Sequence, residues 1–482
     1  VYTQNGFLFA TLTGKNQGLD VQLHVDENAA YSVMSEASDP VVESLIAYHE
    51  GRIAPTSAGS TGSTGDSGAT DSTGNTEDTR ATTTTTTSDT QVLAGTTTND
   101  NGGNTDSGTD AGNGTGTDTG AGNNTNTNNT VAHTRVAGSS DFLNEVVTNS
   151  HGAPAEAAAR LAIYGGTAQA ALGASSSTTD AIAARLGVGS AGGLTIANNG
   201  QGAALWLAPV YKSHDSDGFD SQGLDYGVDL NLYGVALGAD LELMPGFTAG
   251  LMFNVGSGDV DGKGNTAANN TSNDFDYWGA ALYGSYRYDA LTVAADIGYT
   301  VVDNDLEATT GMDKYGKLES SADSTALTFG VTAKYAFDFN TVEVAPHAGL
   351  RYTNVDLDDY TVTANGEDVA HFDAGSISVF SIPVGVTMAK EFVGDNWSVK
   401  PMFDLTLTGN FGDDEVDGTV SWTGVDNLTT GVSSEFLDNF TYGATLGVEA
   451  KTGSFSFGLG VNYTGSSNAD EYGVNANARF VF

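Results

Sequence analysis

The chain has 482 residues and a formal net charge of -43 at neutral pH, from 60 acidic and 17 basic residues. So acidic a chain would be repelled by phosphates, which excludes nucleic acid as a partner. It contains no cysteine, which suits passage through an oxidising compartment, and no run of about 18 apolar residues that would cross a membrane as a helix.

Residues 1–55 have the composition of a small folded unit. The alternating segments 6–14 and 19–25 flank a glycine-bounded turn and predict a β-hairpin. Asp39 and Pro40 then supply the cap and the first-turn residue of a short amphipathic helix, which Gly51 ends. This region is therefore predicted to be strand-rich, with one short helix.

Residues 56–135 consist almost wholly of Thr, Gly, Ser, Asn and Asp. Such a segment cannot bury a core, so it is predicted to be a disordered tether with a root-mean-square span on the order of 50 Å. Residues 65–68 match the nucleophile motif of trypsin-like proteases, but this composition produces that match by chance. No catalytic, cofactor or metal site is predicted, and the protein is predicted not to be an enzyme.

Residues 136–200 predict helices with small side chains. Glu156 and Arg160 form an i,i+4 pair in an alanine-rich run, and a second helix is predicted with Thr178 or Thr179 as its cap and Gly187 as its end. A helix with such small side chains would fit a narrow, water-lined lumen. A surface linker helix remains the alternative.

Residues 201–482 predict twelve amphipathic strands, an even number as in bacterial single-chain membrane barrels. They cover residues 203–214, 226–243, 247–260, 274–288, 291–306, 318–337, 341–357, 371–392, 397–411, 436–451, 454–465 and 470–482. Short turns alternate with long polar loops, such as 261–273, 307–317, 358–370 and 412–435. This asymmetry predicts tight turns on the periplasmic side and long acidic loops outside.

The two faces of these strands favour a membrane barrel over a soluble sandwich. On the strands that begin at Trp397 and at Asp274, aromatic residues stand at both ends of the apolar face, where the two membrane interfaces would lie. The opposite faces carry charges, and a basic side chain facing lipid at mid-depth would cost about 2–4 kcal/mol. The candidates for a wet lumen are Asp296, Glu343, His347, Arg351, Glu449 and Lys451.

The last strand ends on an aromatic residue. Tyr472, Val474, Phe480 and Phe482 share one face of a period-two pattern, as expected of the strand that closes a membrane barrel against its first strand. An ordinary amphipathic edge strand is the alternative. The predicted fold is an all-β membrane protein, a 12-stranded antiparallel outer-membrane β-barrel with a lumen helix.

The order of these regions resembles a classical (type Va) autotransporter of type V secretion. The segments that carry the resemblance are 158–186, 234–243, 247–260 and the terminal ARFVF. It implies a barrel in the bacterial outer membrane, a helix through its lumen, and an amino-terminal passenger carried to the cell surface. Residues 1–55 would be the end of that passenger, 56–135 the linker, 136–200 the helical linker and 201–482 the barrel.

The resemblance also implies partners. The terminal strand, with Tyr472, Val474, Phe480 and Phe482, would be the signal read by the outer-membrane barrel assembly machinery, with periplasmic chaperones before it. The passenger would pass as an extended hairpin and fold outside, and a host or cell-surface ligand would bind it if the chain is an adhesin.

Three alternatives remain open at this point: a surface adhesin anchored by a porin-like barrel, a protease passenger further upstream, and a plain porin. Some members of the family cut their passenger at an Asn-Asn pair in the lumen helix. Asn198 and Asn199 lie outside the predicted helix, so a retained passenger is expected.

Overall fold

The computed structural model describes residues 8–15, 18–53, 137–149, 152–188, 203–339 and 342–481. Within these ranges, no helix is both long and apolar enough to cross a membrane. The predicted linker, Asn198, Asn199 and Phe482 lie outside the described residues.

The predicted amino-terminal hairpin is present, but it is followed by two helices where the sequence predicted one. Strands β1 (Leu8–Lys15) and β2 (Gly18–Val25) form the antiparallel hairpin. Helix α1 (Glu27–Val33) starts where the Asp26 side chain accepts a hydrogen bond from the Ala29 amide at 3.1 Å. The predicted helix is α2 (Asp39–Ile53); it continues through Gly51, so the predicted end at that residue is wrong.

After the linker come β3 (Ala137–Gly138) and helices α3 (Asp141–Asn149), α4 (Ala153–Ala159), α5 (Leu161–Tyr164) and α6 (Thr167–Leu186). Helix α6 begins after Gly166 and ends before Gly187, both in the left-handed conformation with φ of 62° and 71°. The predicted cap at Thr178 or Thr179 is wrong. Both lie inside α6, where their hydroxyls donate to the Ala174 and Ser176 carbonyls and therefore do not break the helix.

The remaining elements are α7 (Thr266–Asn269) and a set of strands. The strands are β4 (Ala203–Ser216), β5 (Phe219–Ser221), β6 (Leu224–Met244), β7 (Phe247–Gly264), β8 (Thr271–Tyr288), β9 (Leu291–Thr309), β10 (Lys317–Tyr335), β11 (Phe337–Asp338), β12 (Glu343–Leu357), β13 (Tyr360–Ala364), β14 (Glu367–Ala374), β15 (Ser376–Ala389), β16 (Phe392–Val393), β17 (Trp397–Gly412), β18 (Glu415–Trp422), β19 (Val425–Asp426), β20 (Thr429–Glu435), β21 (Phe440–Thr452), β22 (Phe455–Gly465) and β23 (Ala469–Val481).

Twelve of these strands form a closed antiparallel barrel, as predicted. They are β4, β6, β7, β8, β9, β10, β12, β15, β17, β21, β22 and β23, and closure is made by β23 against β4, with Phe480 opposite Leu205. One end of the barrel carries short connections such as the turn around Gly246, and we call it the turn end. The other carries the long connections, and we call it the hairpin end.

Two segments predicted as polar loops, 358–370 and 412–435, are instead folded. They form the hairpins β13–β14 and β18–β20, which pair with each other and extend the barrel wall beyond the mouth. The turn of the first hairpin is Asn365-Gly366, with φ of 52° and 76°, the residue pair typical of two-residue hairpin turns. The loop prediction is wrong because these segments are polar, as loops are, although their Thr and Val residues also favour strands.

The polarity of the barrel wall inverts along each long strand, and β9 shows this clearly. Its exposed outward side chains run in order Ile297, Tyr299, Asp303 and Asp305. Its inward side chains run Asp296, Thr300, Val302 and Leu306. Toward the turn end the barrel is therefore apolar outside and polar inside, as a bilayer requires. Toward the hairpin end it is acidic outside and apolar inside, like a protein in water.

That apolar interior forms one hydrophobic core at the hairpin end. Side chains of α1 to α5 and the first half of α6 pack there against the inner faces of the strands and of the two hairpins. Representative buried members are Leu45, Phe142, Leu161, Tyr226, Phe275, Leu306, Phe372 and Trp422.

Candidate functional site

The first part of the site is α6, which passes through the barrel lumen. The helix starts in the apolar core at the hairpin end, and its last turn lies against the wall near the turn end. It packs on strands β6 to β10, with β4 and β12 at its sides. Asn254 of β7 donates to Thr178 of the helix at 3.0 Å. A methyl group on Gly279 would come within 3.2 Å of Thr178 and 2.4 Å of Asn254, so this wall position admits no side chain beside the helix without a shift.

The end of α6 is fixed by a buried polar cluster. The guanidinium of Arg185 forms a two-pronged salt bridge with Asp240 of β6, with Nε 2.6 Å from Oδ2. The Tyr283 hydroxyl donates to the same carboxylate at 3.0 Å and accepts from the Trp206 indole at 2.7 Å. The salt bridge joins the helix to the wall, and the Tyr283 and Trp206 side chains of the wall hold its carboxylate in place, so the cluster fixes the axial position of the helix.

A second contact joins the middle of the helix to β4, the strand next to β6 in the wall. Lys212 of β4, buried, lies 2.8 Å from Asp180 and 3.4 Å from Glu471, and donates to the Ser176 hydroxyl at 2.7 Å. Glu471 belongs to the terminal strand, so the helix is tied to both strands at the closing seam.

Four of the residues predicted for the lumen lie in ion pairs or hydrogen bonds on the inner side of the wall. Arg351 forms a two-pronged pair with Asp296 at 2.9 and 3.0 Å. His347 lies 2.9 Å from Asp404, which also accepts from two threonine hydroxyls. Glu343 lies 3.2 Å from Lys400.

The two remaining lumen candidates are on β21. Glu449 is 1% exposed. Lys451 is opposite Ser398 and Ser456 in the strand register, and both serines are buried. Both candidates therefore occupy register positions on the inner side of the wall.

A cavity of about 290 Å³ runs beside α6 on the side that the helix leaves free. Its polar lining includes Ser176, Lys212, His214, Arg351, Ser381 and Asn410. The lumen thus holds the helix together with a cavity and is not packed to protein density. Among the described residues, no three His, Asp or Glu side chains come close enough to hold a metal ion.

The outer surface carries two aromatic girdles. Exposed residues toward the hairpin end are Tyr211, Tyr233, Trp278, Tyr299, Tyr352, Tyr442 and Tyr472. Those toward the turn end are Tyr286, Tyr335, Phe337, Phe392, Trp397, Phe455 and Phe480. The band between them is lined by exposed Leu, Val and Ile, which is the surface that a lipid bilayer covers.

Of the residues predicted as a terminal signal, the three that the structure describes lie on this outer face. Tyr472, Val474 and Phe480 are 55%, 42% and 46% exposed. Tyr472 and Phe480 lie one at each girdle, with Val474 between them.

The second part of the site is a cap over the mouth, formed by helices α1 to α5, and sequence reasoning missed it. In the cap, Phe142 packs between Tyr315 and Trp422, with ring centroids 5.5 and 6.4 Å away. The Tyr360 hydroxyl accepts from the Ala162 amide at 3.2 Å, and burial raises the pKa of that hydroxyl well above its usual range. The cap thus closes on the barrel through both rings and hydrogen bonds.

A buried ion pair lies at the centre of the cap. Arg160 and Glu156 are fully buried and 2.5 Å apart, and Glu156 also accepts from the amide and hydroxyl of Ser38 at 3.0 and 2.8 Å. Burial, and next the Glu156 carboxylate, raise the pKa of the Tyr164 hydroxyl, which donates to Glu156 at 2.8 Å. The sequence predicted the i,i+4 pair but not its burial or its contact with Ser38.

The sequence contains two apolar patterns that belong to the cap and its contact surface. Val42, Leu45 and Ile46 make an apolar face on α2 that needs a partner, and residues 415–435 hold Val416, Val420 and Trp422 at alternate positions. Neither pattern says that the two faces pack on each other, because their residues are nearly 400 positions apart.

Comparison with known proteins gives a consistent result. The family model described as autotransporter beta-domain matches residues 205–464. An IgA-specific serine endopeptidase autotransporter of Neisseria gonorrhoeae is 31% identical over 134 residues, which is 28% of this chain and 8% of that protein. The chain therefore corresponds to a small part of the length of this relative.

A solved structure agrees at the level of the fold. The translocator domain of the autotransporter NalP from Neisseria meningitidis superposes with a TM-score of 0.52 and 11% identity, over 67% of this chain and 99% of that one.

Proposed function

The chain belongs to the autotransporter beta-domain family, and we propose that its barrel carries residues 1–55 to the cell surface as the end of its own passenger. Its barrel is an outer-membrane translocator domain, so the turn end faces the periplasm and the hairpin end faces the cell exterior. In this proposal residues 56–135 are the linker, 136–200 the helical linker and 201–482 the barrel.

The observation that carries the proposal is the direction of α6 through the lumen. Its first turn lies in the core at the exterior end, and Arg185 in its last turn bonds to Asp240 near the periplasmic end. A chain that runs inward along the lumen has its preceding residues outside and its following residues at the start of β4. The chain would follow this path through the lumen after its amino-terminal segment has been exported.

Export of this kind is a physical process. No nucleotide-binding motif is present in the sequence, so folding of the segment outside is proposed to bias its movement outward. The charged wall residues, Asp296, Glu343, His347, Arg351, Glu449 and Lys451, keep the lumen hydrated while an extended polar chain passes. The translocator itself is proposed to have no catalytic activity.

Insertion of the barrel is proposed to depend on its last strand. Tyr472, Val474, Phe480 and Phe482 would be recognised by the outer-membrane assembly machinery, after periplasmic chaperones have kept the chain unfolded. Two observations support this assignment: Tyr472, Val474 and Phe480 make no part of the lumen and stay exposed on the outer face, and their strand is the one that closes the barrel against β4.

The test is an epitope inserted after Gly59, in a chain supplied with a signal peptide and expressed in a Gram-negative cell. Antibody labelling of intact cells is expected, and it should disappear when residues 472–482 are deleted. A barrel that inserts while the epitope stays inaccessible would overturn the proposed function in favour of a porin-like anchor.

A further inference from the structure

Residues 26–53, which comprise α1 and α2 and which we call the clasp, lie on the other side of the linker from the rest of the cap. Their apolar side chains are nevertheless as buried as a protein core. Ala30, Met34, Val41, Val42, Leu45 and Tyr48 are at most 1% exposed. They pack in one core with α3, α4 and the inner face of hairpin β18–β20.

Polar contacts give this packing a fixed register. The Tyr48 hydroxyl donates to the Ser140 carbonyl at 2.9 Å and accepts from the Ser140 amide at 3.0 Å, across 92 residues of sequence. The hydroxyls of Ser44 and Thr430 are 2.5 Å apart. Ser38 bonds to the Glu156–Arg160 pair of α4. The clasp is thus hydrogen-bonded at three separate places: to Ser140 before α3, to α4, and to strand β20 of the hairpin.

The consequence concerns the linker. Because Tyr48 and Ser140 are in contact, the chain leaves the cap near residue 53 and re-enters it near residue 137, so the linker begins and ends on the same body. The attachment of the clasp to the barrel therefore does not depend on an intact linker. Two pieces of the chain cut anywhere between these points would still share one buried core.

We propose that the clasp is a noncovalent anchor, which keeps the amino-terminal part of the chain on the cell after the linker is cut. The site for the clasp is the exterior surface formed by α3, α4 and hairpin β18–β20, and its ligand is this chain's own segment 26–53. The proposal rests on the proposed function, because the two surfaces meet only after the clasp has reached the exterior.

The experiment uses the full chain with an epitope before Val1 and the recognition sequence of a site-specific protease inserted after Gly59. Epitope on intact cells is measured before the protease is added, then after cutting and washing. Most of the epitope is expected to stay on the cells although a denaturing gel shows complete cleavage. The variant Leu45→Ala with Tyr48→Phe should shorten the residence time of the cut fragment at least tenfold.

The matched control is Glu43→Ala with Tyr31→Phe. These residues form a hydrogen bond on the solvent side of the clasp, so this variant should retain the fragment like the unchanged chain. Both variants combine one substitution to Ala with one Tyr→Phe substitution. The test variant alters the buried face of the clasp, and the control alters its solvent-exposed face.

A second measurement remains decisive if the test variant fails to fold. The chain has no cysteine, so Ser44→Cys with Thr430→Cys places only these two thiols, at positions within reach of a disulfide. After cutting, the fragment should stay joined to the barrel on a nonreducing gel, whereas Glu43→Cys with Thr430→Cys should not join it.

The possible results are distinct. Epitope present before cutting and released in full by cutting, with no Ser44–Thr430 cross-link, would overturn the anchor and leave export intact. Absence of the epitope from intact cells before cutting would overturn the proposed function and the anchor with it.

Discussion

Arg185 of the lumen helix and Asp240 of the barrel wall form a buried salt bridge, with the guanidinium Nε 2.6 Å from the carboxylate. The pair joins the last turn of α6 to a strand near the periplasmic end. The helix is thereby held as part of the folded barrel, in contact with side chains that face a lumen and not lipid.

Asp240→Ala should loosen the helix strongly. It leaves the Arg185 charge buried without its partner, which typically costs about 3–5 kcal/mol. Hydrogen exchange of the α6 amides in detergent-solubilised protein should accelerate by orders of magnitude. Asp180→Ala removes a half-exposed partner of Lys212 on the same helix and should have a much smaller effect. Equal acceleration in the two variants would show that Arg185–Asp240 is not the main attachment of α6.

Gly279→Ala should lower the stability of the barrel with its helix. The added methyl group would meet Asn254 at 2.4 Å and Thr178 at 3.2 Å, and crowding of this kind typically costs about 1–3 kcal/mol. The temperature at which the folded band is lost on a semi-native gel should fall. Gly443→Ala is the control, because its methyl group would meet nothing closer than 3.5 Å; a similar fall there would point to the strands and not to the helix.

Glu156→Gln should open the cap. The buried Arg160 would lose its charged partner, with an expected cost of about 3–5 kcal/mol, and the cavity beside α6 would then connect to the exterior. Single-channel recordings in planar bilayers should show larger and more frequent openings than the unchanged protein. Glu43→Gln, on the exposed side of the cap, should leave the recordings unchanged; openings of equal size there would contradict a role for the buried pair.

Asp323→Asn should stabilise the exterior part of hairpin β9–β10 at neutral pH. Partial burial, and next the carboxylate of Asp303 directly opposite it, raise the pKa of Asp323. An acid whose pKa is higher in the folded state destabilises that state when ionised, and the penalty disappears as the pH falls through the raised pKa. Because the side chain is exposed, the gain should be only about a few tenths of a kcal/mol.

Hydrogen exchange of the β9–β10 amides measures this effect. Slower exchange than in the unchanged protein is expected at pH 7, and the difference should vanish near pH 3, below the ordinary carboxyl pKa of about 3.9. Asp313→Asn, in the loop of the same hairpin and outside its paired strands, should show no such pH dependence. A difference that persists at low pH would rule out charge repulsion as its cause.

The sequence was sufficient to predict the twelve barrel strands because a bilayer imposes a strict rule on them. Every lipid-facing position must be apolar and the lumen-facing positions are free to be polar, so the period of two is visible in segments such as the one from Trp397 to Phe411. The lumen candidates, including Asp296, followed from the cost of a charge in lipid.

What the sequence could not predict depends on contacts between distant residues. Beyond the membrane the outer face of the strands meets water. There the polar side chains, such as Asp303, point outward and the apolar ones, such as Val302, point inward, which is the reverse of the pattern within the bilayer. The outer face of hairpin β18–β20 is polar. Its inner face is identified as a packing surface only when α2 is placed on it. The start of α6 at Thr167 also depends on packing, since Gly173 and five Ser or Thr residues inside the helix predict a weak helix in isolation.

The most direct test of the account is cysteine labelling of intact cells, which is simple because the chain has no native cysteine. Ser60→Cys lies in the linker, and Asp395→Cys lies in the short turn between β15 and β17. With a membrane-impermeant maleimide, the account predicts that Ser60→Cys reacts in intact cells and that Asp395→Cys reacts only after the outer membrane is permeabilised. Reaction at Asp395→Cys with protection at Ser60→Cys would contradict both the orientation of the barrel and the export of its amino-terminal segment.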